Sequence, residues 1–207
     1  MPAQTSPRSP GSRPTDDHLL DAACAEFAET GFHATSLSSV ANRANSTKPT
    51  LYAHFGSKEA LYEALLQREA KTCRAWLFDA YESGAALGMR DQVSNDMRAF
   101  FEYAAKHPNG FRLLFSGDHT GIVVEVRQEL VAAIVEQVAR RLGDFNAAHA
   151  PIPHAVERQL AVMAVGVALD TAEHAVADPR GDLDAACEIA TAFVTAGLRN
   201  FGAELTH

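Results

Sequence analysis

Apolar residues recur at the spacing of an α-helix in consecutive short segments near the amino terminus. In the first segment, from about Thr15 to Thr30, apolar side chains stand at positions i, i+3, i+4 and i+7 counted from Leu20. The second segment begins after Ser36 and repeats this spacing from Leu37. Such residues share one face only in a helix. The segments therefore predict short amphipathic helices with little between them.

Residues that begin or end helices separate these segments. Thr15 or Asp16 can cap the first helix, and Gly31 follows it as a C′ glycine does. Asn45 and Ser46 break the second helix, and asparagine is the non-glycine residue that best tolerates a positive φ. A tight turn of about two residues between two short helices is the spacing of a helix-turn-helix.

The third short helix begins at Thr47 and has Pro49 in its first turn, where a missing N–H costs nothing. Leu51 and Phe55, four residues apart, are expected to face the core. Gly56 ends the helix, and the next one begins after it.

The remainder of the chain is also helical in pattern. Runs of alternating β-branched and aromatic residues are missing, so we predict an all-α fold. The longest apolar stretch is about ten residues, whereas a helix that spans a membrane needs roughly 20, so no membrane association is expected. The breaks, one of them at Gly143–Pro151, predict helices over Ser57–Glu82, Met89–Lys106, Asn109–Ser116, His119–Leu142, Pro153–Ala177 and Asp182–Leu205.

The charge is distributed unevenly along the chain. The net charge is −8, yet the segment Gly31–Lys58 contains three basic residues and no acidic one. A locally positive segment on an acidic protein suits an anionic partner that reaches one end of the molecule. Three scattered cysteines, with no metal or redox spacing, predict reduced thiols in the cytoplasm.

One continuous string carries a family resemblance. Residues 50–61 read Thr-Leu-Tyr-Ala-His-Phe-Gly-Ser-Lys-Glu-Ala-Leu, and this string follows the two helices described above. Together with Ala22-Ala23, Phe27-Ala28-Glu29 and Gly31-Phe32, it resembles the tetracycline-repressor (TetR) family of transcriptional regulators over about Leu19–Leu65. The resemblance implies nine helices, the number that the pattern gives. Residues 1–14 are rich in proline and serine and have no apolar stretch, so we predict a disordered tail there. A helix-turn-helix domain is expected over 15–56, and an effector-binding and dimerisation domain over 57–207.

The third helix would be the recognition helix. Its outward side chains would contact base edges with the first turn and phosphates with the flanking residues. A solvated polar face on a small helical bundle is the alternative. Arg8 and Arg13 of the tail would either enter a minor groove or remain disordered. The predicted DNA-binding residues are Ser36, Thr47, Lys48, Pro49, Thr50, Tyr52, His54 and Lys58.

The last two predicted helices carry long apolar stripes rich in small residues. A stripe of this length exceeds what one neighbouring helix covers, so part of it is expected to form a homodimer, as the resemblance also implies, while part packs within the protomer. The predicted interface residues are Val156, Leu160, Met163, Val167, Ala190, Phe193, Val194, Gly197 and Phe201.

Aromatic residues concentrate in the middle helices, where the resemblance places a small apolar or aromatic effector. Plain core packing is the alternative for each of them. Asp170 and His174 would supply polar contacts to the effector, or would simply pair with each other. The predicted effector residues are Trp76, Met97, Phe100, Phe101, Phe111, Phe115, Asp170 and His174.

No catalytic motif is present in the sequence, so we expect no enzyme and no cofactor. A metal site built from His149, His154 and His174 matches no known ligand spacing. The sequence thus predicts a homodimeric repressor, released from a palindromic operator when an effector separates its two recognition helices. A helix-turn-helix activator or adaptor, and an all-α enzyme with an unrecognised site, are the alternatives.

Overall fold

The computed structural model describes residues 14–116, 121–149 and 153–204. Within these ranges the chain is all-α, as predicted, and contains no strand. The tail prediction for residues 1–13, with Arg8 and Arg13, lies outside them. The helices are α1 (Asp16–Ala34), α2 (Leu37–Arg43), α3 (Lys48–Phe55), α4 (Lys58–Ser83), α5 (Met89–Lys106), α6 (Pro108–Phe111), α7 (Ile122–His149), α8 (His154–Ala177) and α9 (Leu183–Glu204).

The chain divides into two compact units, one ending at Leu65 and the other beginning at Leu66. Helix α4 starts in the first unit and continues in the second, so the division falls nine residues beyond the predicted domain boundary at Gly56. The first unit has a small core in which Phe27, Val40 and Leu51 are fully buried. The Phe27 ring centroid lies 4.8 Å from that of Tyr62.

Side-chain caps begin the helices of the first unit. The Thr15 hydroxyl accepts a hydrogen bond from the His18 N–H at the start of α1. Ser36 and Ser39 form a reciprocal capping box at the start of α2, and the Ser57 hydroxyl accepts from the Ala60 N–H at the start of α4. These bonds satisfy backbone donors that a helix leaves unpaired at its amino terminus.

Positive φ angles stand at the three predicted break positions. Gly31 has φ 77° and ψ 165°, which bends α1 before its last residues, and Gly56 has φ 81°. Asn45 has φ 47° in the turn between α2 and α3. The breaks predicted at Asn45 and Gly56 are confirmed, whereas Gly31 bends α1 and does not end it, because α1 continues to Ala34.

The second unit is a helical bundle. Helix α8 packs against α7, α9 and α5, and α5 also packs against α9. The predicted break at Gly143 is wrong, because α7 continues to His149. A glycine inside a helix costs only about 1 kcal/mol. Here a Cβ on Gly143 would lie 3.0 Å from a carboxylate oxygen of Glu157 in α8, so glycine allows the two helices to approach.

The predicted helix over Asn109–Ser116 is composed of two parts. Helix α6 is short and is followed directly by a π-helical turn over Arg112–Ser116. The turn buries Leu113, Leu114 and Phe115. Turns of this kind are rare and concentrate at functional sites.

Candidate functional site

The first unit presents a polar, largely exposed surface on α3. Leu51 is buried, and Lys48, Pro49 and Tyr52 are exposed on the other side of the helix. The Lys48 ammonium lies 5.7 Å from the centroid of the Tyr52 ring, which is 48% exposed. The ring face attracts the ammonium through a cation–π contact, and both groups remain exposed to an outside partner.

Two of the predicted DNA-binding hydroxyls also have structural roles. Thr47 caps α3 by accepting from the Thr50 N–H at 3.3 Å, and its hydroxyl lies 2.8 Å from that of Thr50. Ser36 belongs to the capping box of α2. Both residues are exposed, and the caps fix the first turn of each helix.

His54 and Lys58 flank α3 at its carboxyl end. The His54 ring has its Nδ1 atom 2.5 Å from Asp16 Oδ1 at the start of α1. The Lys58 ammonium lies 4.5 Å above the Phe32 ring and donates to the His33 carbonyl at 3.4 Å. Both side chains are therefore held in place by α1.

Arg43 differs from these residues because two carboxylates hold it. Its Nε donates to Glu26 at 2.8 Å, and its Nη1 donates to Glu29 at 2.9 Å. The hydrogen bond from Arg43 lowers the pKa of Glu29 and, in return, the pKa of Arg43 is raised. The positive charge that the sequence places at this position is thus compensated within the unit.

A cavity of about 70 Å³ lies within the second unit. Helices α5, α7, α8 and α9 contribute its walls, which are mainly aliphatic and aromatic. Its lining residues include Met97, Phe100, Ile134, Val165, Leu169 and Val194.

Asp96 and Arg141 form an ion pair in the wall of this apolar cavity. A second Arg141 nitrogen, Nη2, donates to the Gln92 amide oxygen at 3.2 Å, and the guanidinium lies 4.9 Å above the Tyr81 ring. Burial raises the pKa of Asp96 to about 6, against the opposing effects of Arg141 and the nearby Asn95 side chain. A charged pair inside an apolar wall is expensive to bury unless it is satisfied or used.

The structure brings the predicted aromatic residues together but places most of them away from the cavity. Phe100 lies 5.8 Å from both Phe111 and Phe115, measured between ring centroids, and only Met97 and Phe100 of the eight predicted effector residues line the cavity. Phe111 and Phe115 are fully buried in the core.

The other four predicted effector residues lie elsewhere. Asp170 and His174 are exposed to solvent on α8, and Phe101 lines a surface groove between α5 and α9. The Trp76 indole N–H donates to the Ala99 carbonyl at 2.9 Å, away from the cavity lining. The two charged residues that line the cavity, Asp96 and Arg141, were not predicted, because they are 45 residues apart in sequence.

Comparison with known proteins identifies the first unit. Residues 19–65 match the family described as "Bacterial regulatory proteins, tetR family". The HTH-type transcriptional activator FasR of Mycolicibacterium smegmatis is 31% identical over 192 residues, which cover 87% of this chain and 81% of that protein. The chain belongs to the TetR family of transcriptional regulators.

Solved structures of TetR-like proteins share the fold over most of the chain. A TetR-like regulator from Rhodococcus sp. RHA1 is 26% identical with a TM-score of 0.70, covering 89% of this chain and 95% of that one. The regulator FadR from Bacillus subtilis, solved in complex with stearoyl-CoA, is 17% identical with a TM-score of 0.74, covering 88% and 99% of the two chains.

Helices α8 and α9 leave apolar residues of this TetR-family protein uncovered. Phe193 and Ile189 on α9 are 67% and 69% exposed, and Met163 and Val162 on α8 are 45% and 40% exposed. Ile189 and Phe193 are four residues apart and therefore share one face of α9.

The nine predicted interface residues divide between this surface and the protomer interior. Met163, Phe193 and Gly197 are exposed, and Val156 and Val167 are half-buried. Leu160, Ala190 and Val194 are buried within the protomer. The side chain of Phe201 lies outside the described residues.

By length and composition alone, helix α8 could cross a membrane, since its mean hydropathy is 1.4. Core helices of soluble proteins meet the same criterion. In residues 14–116, 121–149 and 153–204, no three His, Cys, Asp or Glu side chains are grouped to hold a metal ion.

Proposed function

We propose that this protein is a homodimeric, ligand-responsive regulator that binds a palindromic operator through α3 and is a repressor. The proposal rests on one observation. In a unit that matches the TetR family, a capped helix exposes Lys48 and Tyr52 on one surface. Such a regulator acts on chromosomal DNA, and we accordingly place it in the cytoplasm.

The residues of α3 and its flanks have distinct roles in this proposal. Lys48 contacts a guanine edge or a phosphate from the first turn, and Pro49 meets a thymine methyl group. Tyr52 and His54 contact phosphates, His54 in the orientation that Asp16 gives it. Lys58 and the hydroxyls of Ser36, Thr47 and Thr50 complete the backbone contacts.

We assign the uncovered apolar surface of α8 and α9 to the second protomer. A dimer presents two recognition helices to two half-sites about one turn of DNA apart, which a single protomer cannot do. Exposed large apolar residues on adjacent helices are typical of such an interface. The contact centres on Phe193, Ile189 and Met163, since Val194 already packs inside the protomer.

A charge in this surface tests the dimer. Phe193→Glu would bury an unpaired carboxylate at the interface, so we expect monomers in sedimentation and at least a hundredfold loss of operator affinity. Gln128→Glu adds the same charge at an exposed position of α7 and should leave both measurements unchanged. A Phe193→Glu protein that sediments as a stable dimer would place the interface elsewhere.

The effector binds in the cavity between α5, α7, α8 and α9. Its apolar lining suits an apolar or aromatic molecule with few polar groups. The stearoyl-CoA complex of FadR supports the idea that this fold can accommodate an apolar chain. The effector must bind the free and DNA-bound states with different affinities, because a ligand that binds both equally shifts nothing.

Activation is the second candidate, since FasR is named as a transcriptional activator. A dimer on an operator represses by covering the promoter, whereas an activator needs a further contact with polymerase. A reporter gene behind the protein's own upstream DNA separates the two: deletion of the regulator raises expression under repression and lowers it under activation.

The test of DNA binding itself is the retardation of that upstream DNA over a salt series. Binding should weaken steeply as salt increases, because phosphate contacts release counterions. Absence of retardation at low salt, with the dimer intact, would contradict the proposal.

A further inference from the structure

The polar part of the cavity wall contains atoms that nothing in the described protein satisfies. Arg141 Nε and Asp96 Oδ1 are both buried and have no partner within hydrogen-bonding distance among the described residues. The Asn95 side chain, which lowers the pKa of Asp96, donates its amide N–H to the Ala80 carbonyl at 2.7 Å. The other hydrogen-bonding atoms of the pair are used: Nη1 binds Asp96 Oδ2 and Nη2 binds Gln92. One donor atom and one acceptor atom of the same ion pair therefore have no partner at all in the described part of the chain.

Buried polar groups in native proteins are nearly always paired, and each unpaired one requires an explanation. The surroundings here are apolar, with Phe100, Ile134 and Leu169 among the lining residues. Since both residues of the pair line the cavity, a molecule inside it is the natural partner for the free donor and acceptor.

The charge of the pair restricts that molecule. Asp96 and Arg141 compensate each other, so an additional ionic group in the cavity would have no counter-charge. A carboxylate only accepts hydrogen bonds and an ammonium only donates them, so either would leave one atom of the pair unsatisfied. A hydroxyl or a primary amide both donates and accepts without a net charge.

We propose that the cavity selects a neutral, mainly apolar ligand whose single polar group both donates and accepts hydrogen bonds, with Asp96 accepting from it and Arg141 donating to it. This inference rests on the proposed effector cavity and adds the chemical class of the ligand. Asp96 and Arg141 are then the residues that determine specificity.

Three probes with eight carbon atoms test the inference on the full chain by titration calorimetry at pH 8. 1-Octanol donates and accepts, its isomer methyl heptyl ether only accepts, and octanoate only accepts and is charged. We expect 1-octanol to bind at least tenfold more tightly than either of the others. Equal binding of alcohol and ether, or tightest binding of octanoate, overturns the inference and leaves the cavity as a ligand site.

Variants at the pair show whether these residues cause the preference. In Asp96→Leu/Arg141→Met both partners become apolar, a change that buried ion pairs often tolerate. The affinity ratio of alcohol to ether should then fall to within about threefold. A ratio that stays tenfold would assign recognition to other residues and contradict the inference.

A second, conservative variant covers the case in which the double variant does not fold. In Asp96→Asn the amide oxygen stays with Arg141 Nη1, so the amide N–H₂ takes the place of Oδ1 and becomes a donor. The ether should gain affinity and the alcohol should lose its advantage. If none of the three probes binds the wild-type protein, the effector cavity itself is overturned, a result distinct from loss of selectivity.

Discussion

The two units each contain an arginine paired with carboxylates, and the two pairs differ in their surroundings. Arg43 bridges Glu26 and Glu29 on the surface of the first unit, where solvent screens the charges. Arg141 pairs with Asp96 in the apolar wall of the cavity in the second unit.

The difference shows that the role of each ion pair depends on the polar atoms that it leaves without a hydrogen-bond partner. Two carboxylates bind the Arg43 guanidinium, so its positive charge is compensated and does not contribute to the field of the DNA-binding unit. An ion pair at the surface also provides little stability. The buried pair retains one donor atom and one acceptor atom without a partner in the described ranges, and in our proposal a ligand that binds both atoms offsets the cost of desolvating the pair.

Removal of one member of each pair should give the largest contrast. Arg141→Met leaves the Asp96 carboxylate buried without its partner, so we expect a loss of about 3–5 kcal/mol in the free energy of unfolding. Arg43→Met removes a cation that lies at the surface and leaves Glu29 exposed and Glu26 13% exposed, so it should cost clearly less than Arg141→Met. Similar losses in the two variants would contradict the assigned difference in environment.

The pH dependence of stability should reveal the raised pKa of Asp96, the acidic residue of the buried pair. Because burial raises the pKa of Asp96 from 3.8 to about 6, the folded state holds a proton between these values that the unfolded state releases. Stability relative to Asp96→Asn should therefore fall as the pH rises from about 4 to 6, by at most about 3 kcal/mol, and stay level above that range.

Urea denaturation of both proteins at half-unit steps of pH measures this difference directly. Arg141, Asn95 and Tyr81 face Asp96 and are retained in both proteins, so their effects are common to the two curves. A difference that rises with pH would have the wrong sign for a raised pKa.

On the DNA-binding unit, the comparison is between Lys48, which is exposed, and Arg43, whose charge two carboxylates compensate. Lys48→Ala should weaken operator binding by about 1–3 kcal/mol and leave the thermal midpoint nearly unchanged. Arg43→Ala should weaken it much less and leave the salt dependence of binding unaltered. Equal losses of affinity would mean that Arg43 leaves its carboxylates to bind DNA.

The smallest effect concerns the backbone of the first unit. At φ 77° and ψ 165°, Gly31 occupies a region that is essentially restricted to glycine, although a Cβ would meet nothing within 4 Å. Gly31→Ala should therefore cost about 1–2 kcal/mol through conformation alone. Gly88→Ala, with an ordinary φ of −65° and equally open space, is the matched control and should cost less.

Much of the fold could be predicted because its signals are local. The cap at Thr15, the end of α3 at Gly56 and the positive φ at Asn45 depend on residues a few positions apart, and these predictions are confirmed. The break predicted at Gly143 fails because its glycine serves a contact with another helix, which local sequence does not reveal.

The site in the second unit was less predictable for the same reason. Apolar stripes on α8 and α9 indicated which helices were amphipathic, but not that Val194 faces inward while Phe193, its neighbour, faces outward. Asp96 and Arg141 come together only through the packing of α5 against the rest of the bundle. Two charged residues on separate amphipathic helices read in sequence as ordinary surface charges.

The surroundings of Trp76 have a spectroscopic consequence. This residue is the protein's one tryptophan, its indole N–H is bonded to the Ala99 carbonyl, and its ring has His107 edge-on at 5.6 Å and the Lys106 ammonium at 4.8 Å. Intrinsic fluorescence therefore reports the contact between α4 and α5. Emission that changes when this contact changes, and stays constant when an effector binds, is the expected behaviour of a tryptophan outside the cavity lining, so calorimetry is the better observable for the cavity.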